Sequence, residues 1–173
     1  MKTIITFSLL ITASIVGAQT LPEVRSEFHS VVLNPDDSRD FHDYLSDVKT
    51  PTTTIRAYQA VSEALLAQVV WNPFNKLSQV IKYDKLMEEI VNEDPDNIEI
   101  RFLRLAIEYN LPSFLGMSTH VEEDTQMIIQ NMSSIGEMQI EKSYSSYIFH
   151  FLSETNLISQ DEISMMQQRF TVN

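Results

Sequence analysis

The chain has 173 residues, 24 Asp and Glu against 12 Lys and Arg, a formal charge of −12, no Cys and three Gly. That length suits one domain, and 43% hydrophobic residues supply a core, which excludes wholesale disorder. Without Cys there is no disulfide framework, Cys-bound zinc, iron–sulfur cluster or thiol nucleophile, and a polyanion is a poor ligand for nucleic acid or anionic lipid.

Lys2 precedes an uncharged apolar run from Ile4 to Val16, which ends in the small residues of Val16-Gly17-Ala18. This is the pattern of a signal peptide cleaved before Gln19, so 1–18 is expected to be a signal peptide and 19–173 a single α-helical domain. The run is shorter than the roughly 20 residues that span a bilayer, and no later stretch approaches that length. The protein is therefore expected to be exported, periplasmic or secreted, with no stable membrane insertion.

Prolines punctuate the rest. Asn34-Pro35, Asn72-Pro73 and Asp94-Pro95 each place Pro after a good cap residue, and Thr50-Pro51 repeats the pattern with a weaker cap. Helical periodicity fills the intervals. Phe41, Tyr44, Leu45 and Val48 share one face. Ile55, Tyr58, Val61, Leu65 and Val69 mark a second helix, and Phe74, Leu77, Ile81, Met87, Ile90 and Val91 a third, with Asp84 interrupting its stripe. Thr119 with Glu122 and Ser159 with Glu162 read as capping boxes for two later helices, and Tyr144, Tyr147, Ile148, Phe151 and Leu152 mark another between them. The helix from Asp96 to Asn110 is apolar around most of its circumference, with Asn97, Arg101, Arg104 and Glu108 as a narrow polar stripe. Such a helix belongs inside a bundle. With no strand alternation, the expected fold is all-α: a single compact bundle of stacked helical hairpins, about 6–8 helices.

The tract Leu86 to Tyr109, LMEEIVNEDPDNIEIRFLRLAIEY, resembles the junction between two tetratricopeptide-type repeats, through Ile90, Asp94, Pro95, Asn97, Glu99 and Leu103. The resemblance implies a tetratricopeptide-like centre, although the Pro51–Pro95 interval exceeds that repeat's 34 residues. The tract Glu99 to Gly116 is also similar to small exported bacterial proteins of unknown function, which implies a shared fold and no activity.

Arg101 and Arg104, one turn apart in a chain poor in cations, could clamp a small anionic ligand between helices. The alternative is internal neutralisation by Glu108 or by Glu122, Glu123 and Asp124. His120 with those acids reads as helix-start carboxylates rather than a metal site. The cluster of Asp36, Asp37, Asp40, His42, Asp43 and Asp47 reads as a solvated face rather than a calcium loop. Capping explains the acidic turn at Asp94 and Asn97, and core filling the late Met residues, including Met117, Met132, Met138 and Met166. The apolar loop around Phe114 and Leu115 either covers the central helix, the favoured reading, or presents both residues to a partner.

No HExxH, GxSxG, Walker or dinucleotide motif is present. No metal or cofactor is expected. The expected function is that of an exported non-enzymatic interaction or scaffold protein, whose partner is another protein of the cell envelope. Its candidate contacts are Phe114, Leu115 and the outer face of the Ile55–Val69 helix. The alternatives are a periplasmic anion binder using Arg101 and Arg104, or a hydrolase with an unrecognised site.

Overall fold

The computed structural model describes residues 20–131 and 142–171, with side chains at 20–131 and 144–167. The expected signal peptide, Met132 and Met138 lie outside the described residues. Those residues form eight α-helices and no strand: α1 Leu21–Leu33, α2 Ser38–Ser46, α3 Thr53–Val69, α4 Pro73–Glu93, α5 Ile98–Asn110, α6 Val121–Asn131, α7 Lys142–Glu154 and α8 Gln160–Thr171. The arrangement is compact and all-α, as expected from the periodicity.

Ion pairs and hydrogen bonds fix the directions. Arg56 near the start of α3 meets Glu93 at the end of α4, and Glu63 further along α3 meets Lys82, so these two helices run antiparallel. His42 and Leu45 of α2 face Glu63 and Gln59 of α3, which makes that pair antiparallel too. Asn97 and Glu99 open α5 beside Thr54 and Tyr58, so α5 runs parallel to α3.

Two apolar cores result, and α5 is the wall between them. Ile100 and Leu103 close one core with Val24 and Phe28 of α1, Phe41 and Leu45 of α2, and the inner faces of α3 and α4. Ile98, Phe102 and Leu105 close the other, with Ile128 of α6, Ile148 and Leu152 of α7, and Met166 of α8. At about 100° per residue the two apolar sets lie on opposite sides of the helix. The expectation of a buried Asp96–Asn110 helix holds, and even Glu99, Arg104 and Glu108 are buried.

Sequence and structure part company in several places. The whole of α1 escaped the proline-based reading, yet its Val24, Phe28 and Val31 are core residues. Its signal was the Thr20–Glu23 pair, whose box is present, Thr20 N donating to Glu23 Oε2 at 2.8 Å. Asn72-Pro73 starts α4 as expected, but α3 is capped by Thr52 rather than Thr50. Asn97, not Asp94, caps α5, accepting from the amides of Glu99 and Ile100 at 3.1 and 3.2 Å. Helix α6 opens one residue later than the Thr119 box implied, with His120 O accepting from Asp124 N. The Ser159–Glu162 box forms as written. Replacing Asn97 with alanine removes the acceptor for two otherwise orphaned N–H groups and is expected to cost about 1 kcal/mol, read as a lowered denaturant midpoint at unchanged slope.

The expected stripe on α4 is in fact two stripes. The mean direction of Phe74, Leu77 and Ile81 lies about 120° around the helix from that of Met87, Ile90 and Val91, so only one set can face α3. The inward set, with Val80 and Tyr83, is buried, and the other three are exposed. Helix α4 is also four residues longer than α3, so its first turns project past the end of its neighbour. Helix α3, conversely, keeps only Gln68 exposed and so has no broad outer face to offer.

Candidate functional site

The two charged sides of α5 hold much of the buried polar chemistry, with Arg25, Glu99, Arg104, Glu108 and Asp124 all buried. On one side Arg101 and Arg104 are brought together, as their spacing implied. Arg104 Nε and Nη2 donate to Asp124 Oδ2 and Oδ1, both at 2.7 Å, a two-pronged pair with the carboxylate fully buried. Arg101 Nη1 donates to Glu123 Oε1 at 2.5 Å and to Asp124 Oδ1 at 2.9 Å, and its Nε reaches the Pro95 carbonyl at 2.8 Å. One turn further on, Glu108 accepts from the His120 amide at 2.8 Å and contacts the ring Nδ1 at 2.8 Å. Burial lowers the Arg104 pKa, but the hydrogen bond and charge of Asp124, with Glu108 and Glu123, outweigh it and hold it above the ordinary value. The Arg101 hydrogen bond draws the Glu123 carboxyl below its usual range. An anion arriving at these arginines would have to displace Asp124.

The opposite side of α5 presents Glu99, which the sequence reading passed over. Its carboxylate accepts from Arg25 of α1 through Nε at 2.9 Å and Nη2 at 2.7 Å, and from Tyr58 of α3 at 2.7 Å. Tyr58 has one hydroxyl proton and the carboxylate is the stronger acceptor, so the 2.9 Å contact with Tyr144 of α7 is donated by Tyr144. The Arg25 guanidinium also lies over the Tyr144 ring, 5.1 Å from its centroid. Four helices are thereby tied at one point. The hydrogen bond and charge of Glu99 raise the Arg25 pKa above its ordinary value against the opposing effect of burial.

Burial pushes the hydroxyls of Tyr58, Tyr83 and Tyr144 well above the usual tyrosine range, and the charges of Glu99 and Glu108 add to it. A raised pKa in the folded state gives stability that is complete below the unfolded value and drains away as pH rises. Above about pH 10 each of the three should cost up to about 1.4 kcal/mol per pH unit. Tyrosinate absorbance from these three is expected to appear only with unfolding, while thermal midpoints fall steeply above about pH 10.

The third feature is apolar and exposed. Trp71, just before α4, is 97% exposed, and Phe74 is 83% exposed. With Leu77 and Ile81 they form a ridge on the projecting start of α4. The turn after α5 lies at this same end, because α5 runs parallel to α3. There Ser113–Leu115 form a 3-10 turn, closed by Gly116 at φ +65°. Phe114 is 84% exposed, and Leu115 is partly covered. This corrects the expected burial of the loop: Ser118 Oγ is pinned to the Glu108 carbonyl at 2.6 Å and the His120 amide to the Glu108 side chain, so the chain turns back with Phe114 outside. Trp71 was not singled out in sequence. The signal was there, since no Asp or Glu occurs between Glu63 and Asp84 in a chain with 24 of them.

Among the described residues no group of three or more His, Asp or Glu is placed to hold a metal ion, and no helix is long and apolar enough to cross a membrane. No family model, curated protein or solved structure matches the chain.

Proposed function

We propose that this is an exported interaction protein that acts by protein contact, through the end of the bundle that carries Trp71, Phe74 and Phe114. The observation behind the reading is the exposure of these three aromatic side chains, each above 80%, where most large apolar side chains are buried. Aromatic anchors of this kind dominate contact energies when they enter a partner's pocket. The ridge is convex, so it inserts rather than receives. Its surroundings define the partner: apart from Asp84 and Lys82, which pairs with Glu63, the charges nearest the ridge along α4 are Lys76 and Lys85. The complementary surface is an apolar recess of another protein, rimmed by carboxylates. Stacked antiparallel hairpins, with a tetratricopeptide-like junction between α4 and α5, suit a scaffold role by analogy with helical-repeat proteins. Export rests on the Lys2 to Ala18 pattern.

The test is site-specific photocrosslinking in an envelope extract, with the probe at 71 or 74 and, as control, at Gln68. The reading expects one protein captured from 71 and 74 but not from 68. It further expects that the purified partner blue-shifts the emission of Trp71, the chain's single Trp, and that Trp71→Glu with Phe74→Glu weakens binding at least a hundredfold. Equal capture from all three sites, or a blue shift with lipid vesicles alone, would overturn it.

A further inference from the structure

A cleft of about 370 Å³ opens between α1 and α7, lined by Arg25, Ser26, Phe28, His29, Tyr144 and Tyr147 among others. This size matches small-ligand sites. Its charge sets it apart from the rest of the molecule: no Asp or Glu lines it, in a chain with 24. On α1 the residues 22, 25, 26 and 29 point one way, and Glu23 and Glu27 lie about 100° or more around the helix. Both glutamates act on Tyr44 of α2 instead, which places them on the far side.

Arg25 supplies the recognition element. It is 9% exposed, and its Nε and Nη2 are held by Glu99, while Nη1 has no hydrogen bond among the described residues. Yet no fully buried side-chain nitrogen or oxygen among those residues lacks a partner. An Nη1 without a partner among those residues is therefore not fully enclosed, and Arg25 lines the cleft. A guanidinium fixed on one edge by a carboxylate has lost its side-chain freedom already, so a second acceptor on the free edge costs little further ordering. Aromatic surface stands beside it: the Tyr144 ring packs on the guanidinium, and Tyr147 meets the His29 ring edge-on, with centroids 5.6 Å apart.

We propose that this cleft binds a small anion with a flat apolar body, of the aromatic carboxylate class, its carboxylate on Arg25 Nη1 and its ring against Tyr147 and Phe28. Ser26 and His29 at the mouth offer further donors to the same oxygens. The site is separate from the apolar end on which the proposed protein contact rests.

Nitrogen–proton correlation spectra of the intact chain, titrated with benzoate, test the assignment, with benzamide and inorganic phosphate as controls. Benzoate is expected to give saturable shifts confined to α1, α7 and the Arg25 Nε–H, at millimolar concentration or below. Benzamide, which lacks the charge, and phosphate, which lacks the ring, should each bind at least tenfold more weakly. Ser26→Glu adds a carboxylate at an exposed helical position without touching the buried pair, and should abolish the benzoate shifts while the remaining spectrum stays folded. Benzamide matching benzoate, no saturable shift, or unaltered binding in Ser26→Glu would each overturn the proposal.

Discussion

Asp124→Ala is expected to destabilise the protein by about 3–5 kcal/mol. The Asp124 side chain is fully buried and receives three hydrogen bonds, two from Arg104 and one from Arg101. Its loss strands the Arg104 guanidinium, which is 5% exposed, with no hydrogen-bonded carboxylate: the charge of Glu108 and the more distant Glu123, 3.7 Å away, are left to answer it. Because the penalty is mostly an unpaired buried charge, Arg104→Met combined with Asp124→Leu should recover most of the loss. For a chain of this length the single change should lower the thermal midpoint by roughly 10 °C. If Asp124→Ala costs under about 1 kcal/mol, water reaches Arg104 and the α5–α6 contact is looser than described.

Glu99→Ala is the second large effect, again about 3–5 kcal/mol, but it acts on other helices. It removes the acceptor for Arg25 of α1 and Tyr58 of α3 together, and frees Tyr144 of α7 from the chain of hydroxyls. Tyr58→Phe removes the hydroxyl's bonds to Glu99 and Tyr144 and should cost about 2 kcal/mol, while Glu99→Gln keeps the shape and loses the charge. Coupling measured between Arg25→Met and Glu99→Leu should be strongly favourable to the wild-type pair, since each single change leaves a buried partner unmatched. The Asp124 and Glu99 effects should add, because the two clusters lie on opposite sides of α5 and share no residue.

How much of this was legible in the sequence follows the range of each signal. Helix α5 announced itself, because apolar residues on two opposite sides of one helix require neighbours on both. The internal answer to Arg101 and Arg104 was legible as a choice of acids, since Glu123 and Asp124 come barely twenty residues later. Arg25 and Glu99 are 74 residues apart, and periodicity assigns a face without naming what it meets. With α1 unread, Arg25 had no helix to place it beside Val24 and Phe28. On α4 the sum of apolar residues was right and their register was not: Phe74, Leu77 and Ile81 turn away from the set that packs. Phe114 went wrong for a different reason, because apolar composition cannot reveal that Glu108 ties the loop back at Ser118 and His120.

These misreadings share a physical root with the proposed function. Exposed aromatic residues look like core in sequence, and only the overhang of α4 and the parallel run of α3 and α5 gather Trp71, Phe74 and Phe114 at one end. Arg25, Arg101 and Arg104 pair with buried carboxylates, Arg56 with Glu93 and Lys82 with Glu63, which leaves Lys76 and Lys85 of α4 as the cationic border of the ridge.

Native-state hydrogen exchange, read residue by residue, tests the architecture most directly. The account predicts that the amides of Phe102, Leu103, Arg104 and Leu105 are among the slowest in the chain and exchange only with global unfolding, whereas those of residues 75–78 on the projecting turns of α4 exchange through local opening at far lower cost. Exchange of the α5 amides at the rate of the α4 overhang would contradict it, for a wall between two cores cannot open without the molecule.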